Sequence, residues 1–362
     1  MKENNKYFVT MAALNRYVES NIVDSDECQS NKGFVQWGSA NDFPDYLFSL
    51  YQTVTTLRSC IDGTADFVAG DDVIVQKAFY EGEKMNKRGD TAFKIVSNMA
   101  RDLAMYGGFA LQVINNAFGE INEVYNVDFK NLRCNEDNTA FYYSENWGGS
   151  FRRNKIVEYP VWMPNTECVT SIYYYKNEDL RTYPLPVYSS ALKSCEIERS
   201  VDDFHLNGLE NGFAASYIVN FNNGVPEDQQ KEEIERLFNE KFSGSKNAGR
   251  VAFSWNENKE SAVSIEKMEI QDFGDRYNSL AKWSRQQIFT AFRANPNLFG
   301  IPTESLGFSS EEYDSAFRLF NRTRVRPFQR AIVDTFDALY GEKGSIEIRP
   351  FTLDEGQDSA IN

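Results

Sequence analysis

Histidine is almost missing from this chain: among 362 residues only His205 occurs. A structural zinc site wants four clustered Cys or His ligands. The five cysteines, Cys28, Cys60, Cys134, Cys168 and Cys195, are scattered and show no C-x-x-C spacing. The pattern argues against zinc and against a disulfide framework, and the thiols read as free in a reducing compartment. Long hydrophobic runs are missing too. No uninterrupted apolar stretch approaches the ~20 residues of a membrane span. The short one from Phe8 to Leu14 soon meets Arg16 and Glu19, so no signal peptide is expected. Positive charge is in short supply, with 38 Lys and Arg against 53 Asp and Glu, a net charge of −15. Such a surface does not displace counterions from DNA, which excludes avid non-specific binding; it does not exclude a protein that DNA slides past.

Enzyme signatures are also scarce. There is no G-x-x-x-x-G-K-[ST] phosphate loop. Gly107-Gly108 follows a helical pattern and precedes a strand, the reverse of a dinucleotide-binding turn. Cys195 and His205 fall ten residues apart on one expected helix, ~15 Å along its axis, too far for a nucleophile and its base. Acidic pairs such as Asp71-Asp72, Asp202-Asp203 and Glu311-Glu312 are what chance supplies in so acidic a chain. No cofactor and no metal is expected.

What is present is a globular composition: 41% hydrophobic, 25% charged and 14% aromatic, with 28 Phe and 19 Tyr. At ~150 residues per domain the length suits about two domains. Asn41-Asp42-Phe43-Pro44 reads as a helix start. Phe43, Leu47, Leu50, Val54, Leu57, Ile61, Ala65 and Val68 then mark one helical face ending at Gly70, with a break expected near Thr53. A second helix starts at Asp90-Thr91, turns Phe93, Val96, Ala100 and Leu103 inward, and stops at Gly107-Gly108. From Phe109 to Lys176 short strand-like runs alternate with Asn/Gly/Asp clusters, and residues 115–119 read as a hairpin loop.

A helix with a thin apolar face (Leu192, Cys195, Val201, Phe204) is expected over 189–208. A small strand–helix–strand–strand module follows over 213–270, then a helix over 272–294. Asn295-Pro296-Asn297-Leu298-Phe299-Gly300-Ile301-Pro302 cannot be regular helix. Ser309 and Glu312 occupy capping-box positions for a long helix to Tyr340. Pro327 predicts a kink in it. A last strand is expected over 345–351. Arg318, Arg322, Arg326 and Arg330 recur every four residues on that helix, so they share one slowly winding face, with Arg324 off the row.

The order of helix, small mixed module, helix, broken loop and long kinked helix resembles the portal proteins of tailed double-stranded DNA bacteriophages. Ile288, Phe292, Pro296, Leu298, Gly300, Ser309, Glu312, Phe320 and Pro327 carry the resemblance, with Asn295 where the family commonly has valine. The Trp37-Gly38…Asn41-Asp42-Phe43-Pro44 opening looks like portals of phages infecting Bacteroidetes-type hosts.

The resemblance implies an α+β portal fold: a ring-forming subunit with a β-rich wing, a two-helix stem, a small α/β clip, a long kinked helix and a crown that is short or absent. Residues 1–34 become an N-terminal segment, 35–186 the wing, 187–212 and 271–294 the stem, and 213–270 the clip. Residues 295–308 become a channel loop, 309–341 the long wing helix, and 342–362 a terminal strand and acidic tail.

It further implies that Asn297, Leu298, Phe299, Thr303, Glu304 and Ser305 project toward DNA. Arg318, Arg322, Arg326 and Arg330 contact a neighbouring subunit or guide DNA, and Lys231, Glu235 and Lys241 on the clip help dock a terminase or adaptor. The implied partners are further copies of the chain (a dodecamer), the terminase large subunit, a head–tail adaptor, the major capsid protein and the DNA in the channel, with no membrane. The implied place is the capsid vertex of a virion made in host cytoplasm. Another connector or minor head protein, or a soluble carbohydrate-active enzyme suggested by the aromatics and acids, remain alternative readings.

Overall fold

Val54 interrupts the first helical face. Its φ and ψ of −101° and 106° are extended, so the face is built from two helices, α1 (Phe43–Thr53) and α2 (Thr55–Ala69). Four β-branched residues in a row, Thr53 to Thr56, disfavour continuous helix. The Val54 N–H still reaches the Leu50 carbonyl at 2.8 Å, so the break costs no buried donor. All eight expected inward residues from Phe43 to Val68 are buried.

The computed structural model describes residues 33–76, 83–147, 155–164, 168–177, 181–210, 217–221, 229–230, 233, 251–255, 271–299 and 310–351. They fall into two compact units. One combines residues up to Cys195 with those from Arg285 onward, and the other spans Glu196–Ser284.

In the first unit β1 (Asp72–Val75) follows α2, and α3 (Ala92–Tyr106) follows β1. Thr91 caps α3 by accepting the Lys94 N–H at 3.3 Å, as the Asp90-Thr91 start implied. Ile95, Val96, Met99, Ala100 and Leu103 are buried, but Phe93 is 39% exposed and does not join them. It sits off the stripe that the others form at helical spacing.

Then come β2 (Gly108–Asn115), β3 (Ile121–Asn126), β4 (Leu132–Cys134), β5 (Ala140–Tyr143), β6 (Val157–Pro160) and β7 (Thr170–Lys176). They form two antiparallel sheets, ordered β3-β2-β7 and β4-β5-β6. The expected hairpin at 115–119 joins β2 to β3.

The opening motif is a buried latch. Asn41 takes a left-handed φ of 60°. Its Oδ1 accepts from the Trp37 N–H at 3.0 Å and from Arg133 Nε at 2.6 Å. Arg133 is fully buried, lies over the Trp147 ring at 4.9 Å, and also donates to the carbonyls of Asn41, Lys130 and Leu132. Burial pulls its guanidinium down to about 10. Trp37 stacks on Tyr183 at 4.5 Å, so the capping-type residues here tie α1 to β4; Asp42 makes no side-chain cap to α1.

α4 (Leu192–Glu210) leads into the second unit. Cys195 and His205 both lie on it, as the sequence implied. In that unit β8 (Tyr217–Phe221) pairs in parallel with β9 (Val251–Trp255). A parallel pair needs a crossover connection, which accords with the mixed module expected there. Of the expected helix from Pro226 only residues 229, 230 and 233 are described, all helical, and the strand over 262–270 lies outside the described residues. α5 (Gln271–Phe292) returns the chain to the first unit.

The long helix is α6 (Ser310–Phe320), a π turn (Asn321–Val325) and α7 (Arg326–Tyr340). Where Pro327 predicts a kink, the helix carries this π turn just before the proline. Proline has no N–H and its ring clashes with the carbonyl four residues back, and just before it the Arg326 N–H reaches back five residues, to Asn321. Buried Phe320 is followed by buried Val325, a step of five that regular α-helix would throw ~140° off the face; the π turn returns it. Gly341 closes α7.

β10 (Ile346–Arg349) pairs antiparallel with β1, tying the two ends of the first unit together. Gly70 permits this: its φ is 69°, and a Cβ there would lie 1.9 Å from the Arg349 carbonyl oxygen. Among the described residues no helix is long and apolar enough to cross a membrane.

Candidate channel loop and arginine face

The end of α5 sets where the broken loop starts. Arg293 takes a left-handed φ of 55°, and its N–H and that of Ala294 turn back to Thr290 and Phe289 at 3.0 Å. Phe292 stacks on Tyr188 at 5.3 Å, and the Tyr188 hydroxyl donates to the Met105 carbonyl at 2.9 Å. Arg324, in the π turn, supplies the cap: Nε donates to the Phe292 carbonyl and an Nη to that of Ala291, each at 3.3 Å. Its guanidinium lies 5.7 Å from the centre of the Phe328 ring. Burial, with Arg293 nearby, pulls its pKa down to about 10. A cation here answers both the orphan carbonyls and the negative end of the helix dipole. The sequence marked Arg324 only as lying off the arginine row, and its partners lie more than thirty residues earlier.

Pro296–Phe299 form a short 3-10 turn, in which the Asn295 side chain accepts the Asn297 N–H at 3.1 Å. Leu298 is only 6% exposed. The Phe299 ring sits 6.3 Å from Phe289, 5.8 Å from Phe320 and 6.1 Å from Phe67. The expectation that Leu298 and Phe299 project outward is therefore corrected: Leu298 is buried in the core, and half-buried Phe299 is held in an aromatic cluster. Gly63 on α2 makes the room, since a Cβ there would lie 2.2 Å from Phe299 Cδ1. Asn297 is half-buried. Phe299, Phe67, Asp62, Asp66 and Arg58 line an open cleft of about 470 Å³. Thr303, Glu304 and Ser305 lie outside the described residues, as do the docking candidates Lys231, Glu235 and Lys241.

Arg318, Arg322, Arg326 and Arg330 are all exposed, as one face of α6, the π turn and α7. None of them makes an ion pair among the described residues. Leu319, 63% exposed, and exposed Pro327 adjoin that row at its edge. His205 is half-buried, and among the described residues no group of three His, Cys, Asp or Glu could hold a metal.

Residues 83–353 match the family described as phage portal protein. That is three quarters of the chain, and the chain belongs to this family, whose members are structural rather than enzymatic proteins. No match is found among curated protein sequences. Several solved structures share the fold. A chain in the neck of a native gene transfer agent particle, computed with C12 symmetry, is 17% identical, with 87% of this chain and 86% of that one covered at a TM-score of 0.54. A chain of the gene transfer agent virion is 17% identical, with 85% and 84% covered at 0.53. An HK97-family phage portal protein from Corynebacterium diphtheriae is 12% identical, with 84% and 93% covered at 0.54.

Proposed function

We propose that this protein forms the ring at one vertex of a phage capsid, the channel through which the genome enters and leaves and the point where the tail joins. The family match over residues 83–353 carries this reading. Twelve copies make the ring, a number supported by the C12 symmetry of the similar neck particle. In this map residues 35–186 are the wing, 187–212 and 271–294 the stem, 213–270 the clip, 295–308 the channel loop and 309–341 the long wing helix. The separate unit at Glu196–Ser284, entered and left through α4 and α5, supports the stem-and-clip division.

The chemistry is mechanical. At −15 per copy, twelve copies carry about −180, a wall that repels phosphate and favours sliding over gripping. The chain offers no nucleotide-binding motif, so ATP hydrolysis belongs to a terminase large subunit that docks on the clip through Lys231, Glu235 and Lys241. A head–tail adaptor and the major capsid protein complete the vertex. The protein is made in the cytoplasm of its host, and the Trp37–Pro44 opening is the ground for a Bacteroidetes-type host.

Purified protein viewed by negative-stain microscopy tests the reading. Rings with a central hole are expected, with no ATP hydrolysis by the chain alone. Monomers under all conditions that support assembly overturn it.

A further inference from the structure

We infer that the exposed face built by Arg318, Leu319, Arg322, Arg326, Pro327 and Arg330 is the surface by which one copy of the chain seats against the next. This deepens the ring reading and rests on it. The four arginines span twelve residues, ~18 Å of helix, and none is spent on an ion pair within the described chain. Four like charges in a line repel one another; exposed Asp314 and Asp334 stand four residues beyond the two ends of the row, next to Arg318 and Arg330, and leave Arg322 and Arg326 without a carboxylate at helical spacing.

The occupant follows from charge and from the apolar residues beside the charges. With 53 acids against 38 bases per copy, a neighbouring copy presents carboxylates in excess, and the arginine fork suits a carboxylate bidentately. Leu319, 63% exposed, and exposed Pro327, eight residues on, add apolar surface along the edge of the arginine row, which a protein neighbour can cover and a phosphate backbone cannot use. A ring is closed by heterologous contacts, so this face meets a different surface on the neighbour.

The test is the paired charge reversal Arg322→Glu with Arg326→Glu, and separately Leu319→Ala, in the full chain. Ring fraction is followed by mass photometry and negative stain across protein concentration, with folding checked by circular dichroism and melting. The expected result is a parent that forms rings. The reversal variant folds alike but needs at least about tenfold more protein to do so, and Leu319→Ala is weakened in the same direction. Should the reversal disturb folding, Arg322→Gln with Arg326→Gln replaces it.

Rings that assemble like the parent's overturn the inference. If they then package DNA poorly, the face is a DNA track; if they package normally, it is a solvated surface. A parent that never forms rings overturns the portal reading and this inference with it, whereas parent rings with unaffected variants overturn this inference alone.

Discussion

Arg324 holds the end of a helix 32 residues earlier in the chain, donating from Nε to the Phe292 carbonyl at 3.3 Å. The bond joins the last turn of α5 to the π turn of the long helix, on either side of the broken loop. Arg324→Ala removes a cation and two donors from a helix C-terminus. The expected cost is ~1–2 kcal/mol of unfolding free energy, read from urea denaturation of the unassembled chain. Arg324→Lys recovers only part of it, because one ammonium cannot reach two carbonyls with the fixed fork of a guanidinium. An unchanged unfolding midpoint in Arg324→Ala removes the capping role.

Gly63 and Phe299 form a second linkage, between α2 and the start of the loop. A Cβ at position 63 would lie 2.2 Å from the Phe299 ring, so Gly63→Ala is expected to displace that ring from its cluster at a cost of ~1–3 kcal/mol. Phe299→Leu, made together with it, relieves the clash. The double variant should therefore be more stable than the sum of the two single losses predicts. Strict additivity in a double-mutant cycle refutes the contact.

These two linkages also show where sequence reading stops. The apolar face of α1 and α2 was legible because eight burial positions recur at helical spacing within 26 residues, and the break at Val54 because four β-branched residues stand together there. The loop's backbone irregularity was legible from its prolines. Its side-chain directions were not: breakers say that Leu298 and Phe299 leave the helix, not which way they point, and the cluster that receives Phe299 comes from Phe67, Phe289 and Phe320, far apart in sequence. The same holds for β1, four residues whose partner strand lies at the other end of the first unit. The arginine row was legible as a face, because four-residue spacing is local.

A pH dependence follows from Asp102 on α3. Burial, reinforced by the Asp128 carboxylate and opposed by Arg101, holds its carboxyl well above the usual range. In the unfolded chain it titrates at ~3.9. Below that value it is protonated in both states, and its contribution to stability is fully present. As pH rises, the unfolded chain releases the proton first, so stability is lost until pH passes the raised folded value. Asp102→Asn is therefore expected to flatten the fall of unfolding free energy with pH above ~4 and to be more stable than the parent at pH 8. Denaturation series from pH 4 to 8 measure both slopes; parallel slopes rule out the assignment.

The channel role proposed for the loop narrows to the residues after Phe299. Leu298 is buried and Phe299 is packed in its aromatic cluster, so cutting them tests the core rather than the channel. In the proposed map, Gly300 to Phe308, which include Thr303, Glu304 and Ser305, are the loop residues left for the channel role. Removing four of them, Thr303 to Leu306, leaves Leu298, Phe299, Gly63 and Arg324 untouched. The expected outcome is a chain with parental melting and parental ring size, whose particles package less DNA or fail to retain it. Phe299→Ala is the contrasting variant: it empties an aromatic site, costs ~3–5 kcal/mol, and shows its defect in melting before any packaging step. Packaged DNA per particle, measured by nuclease protection, separates the two. If the shortened loop packages and retains DNA as the parent does, the loop is only a connector between α5 and α6.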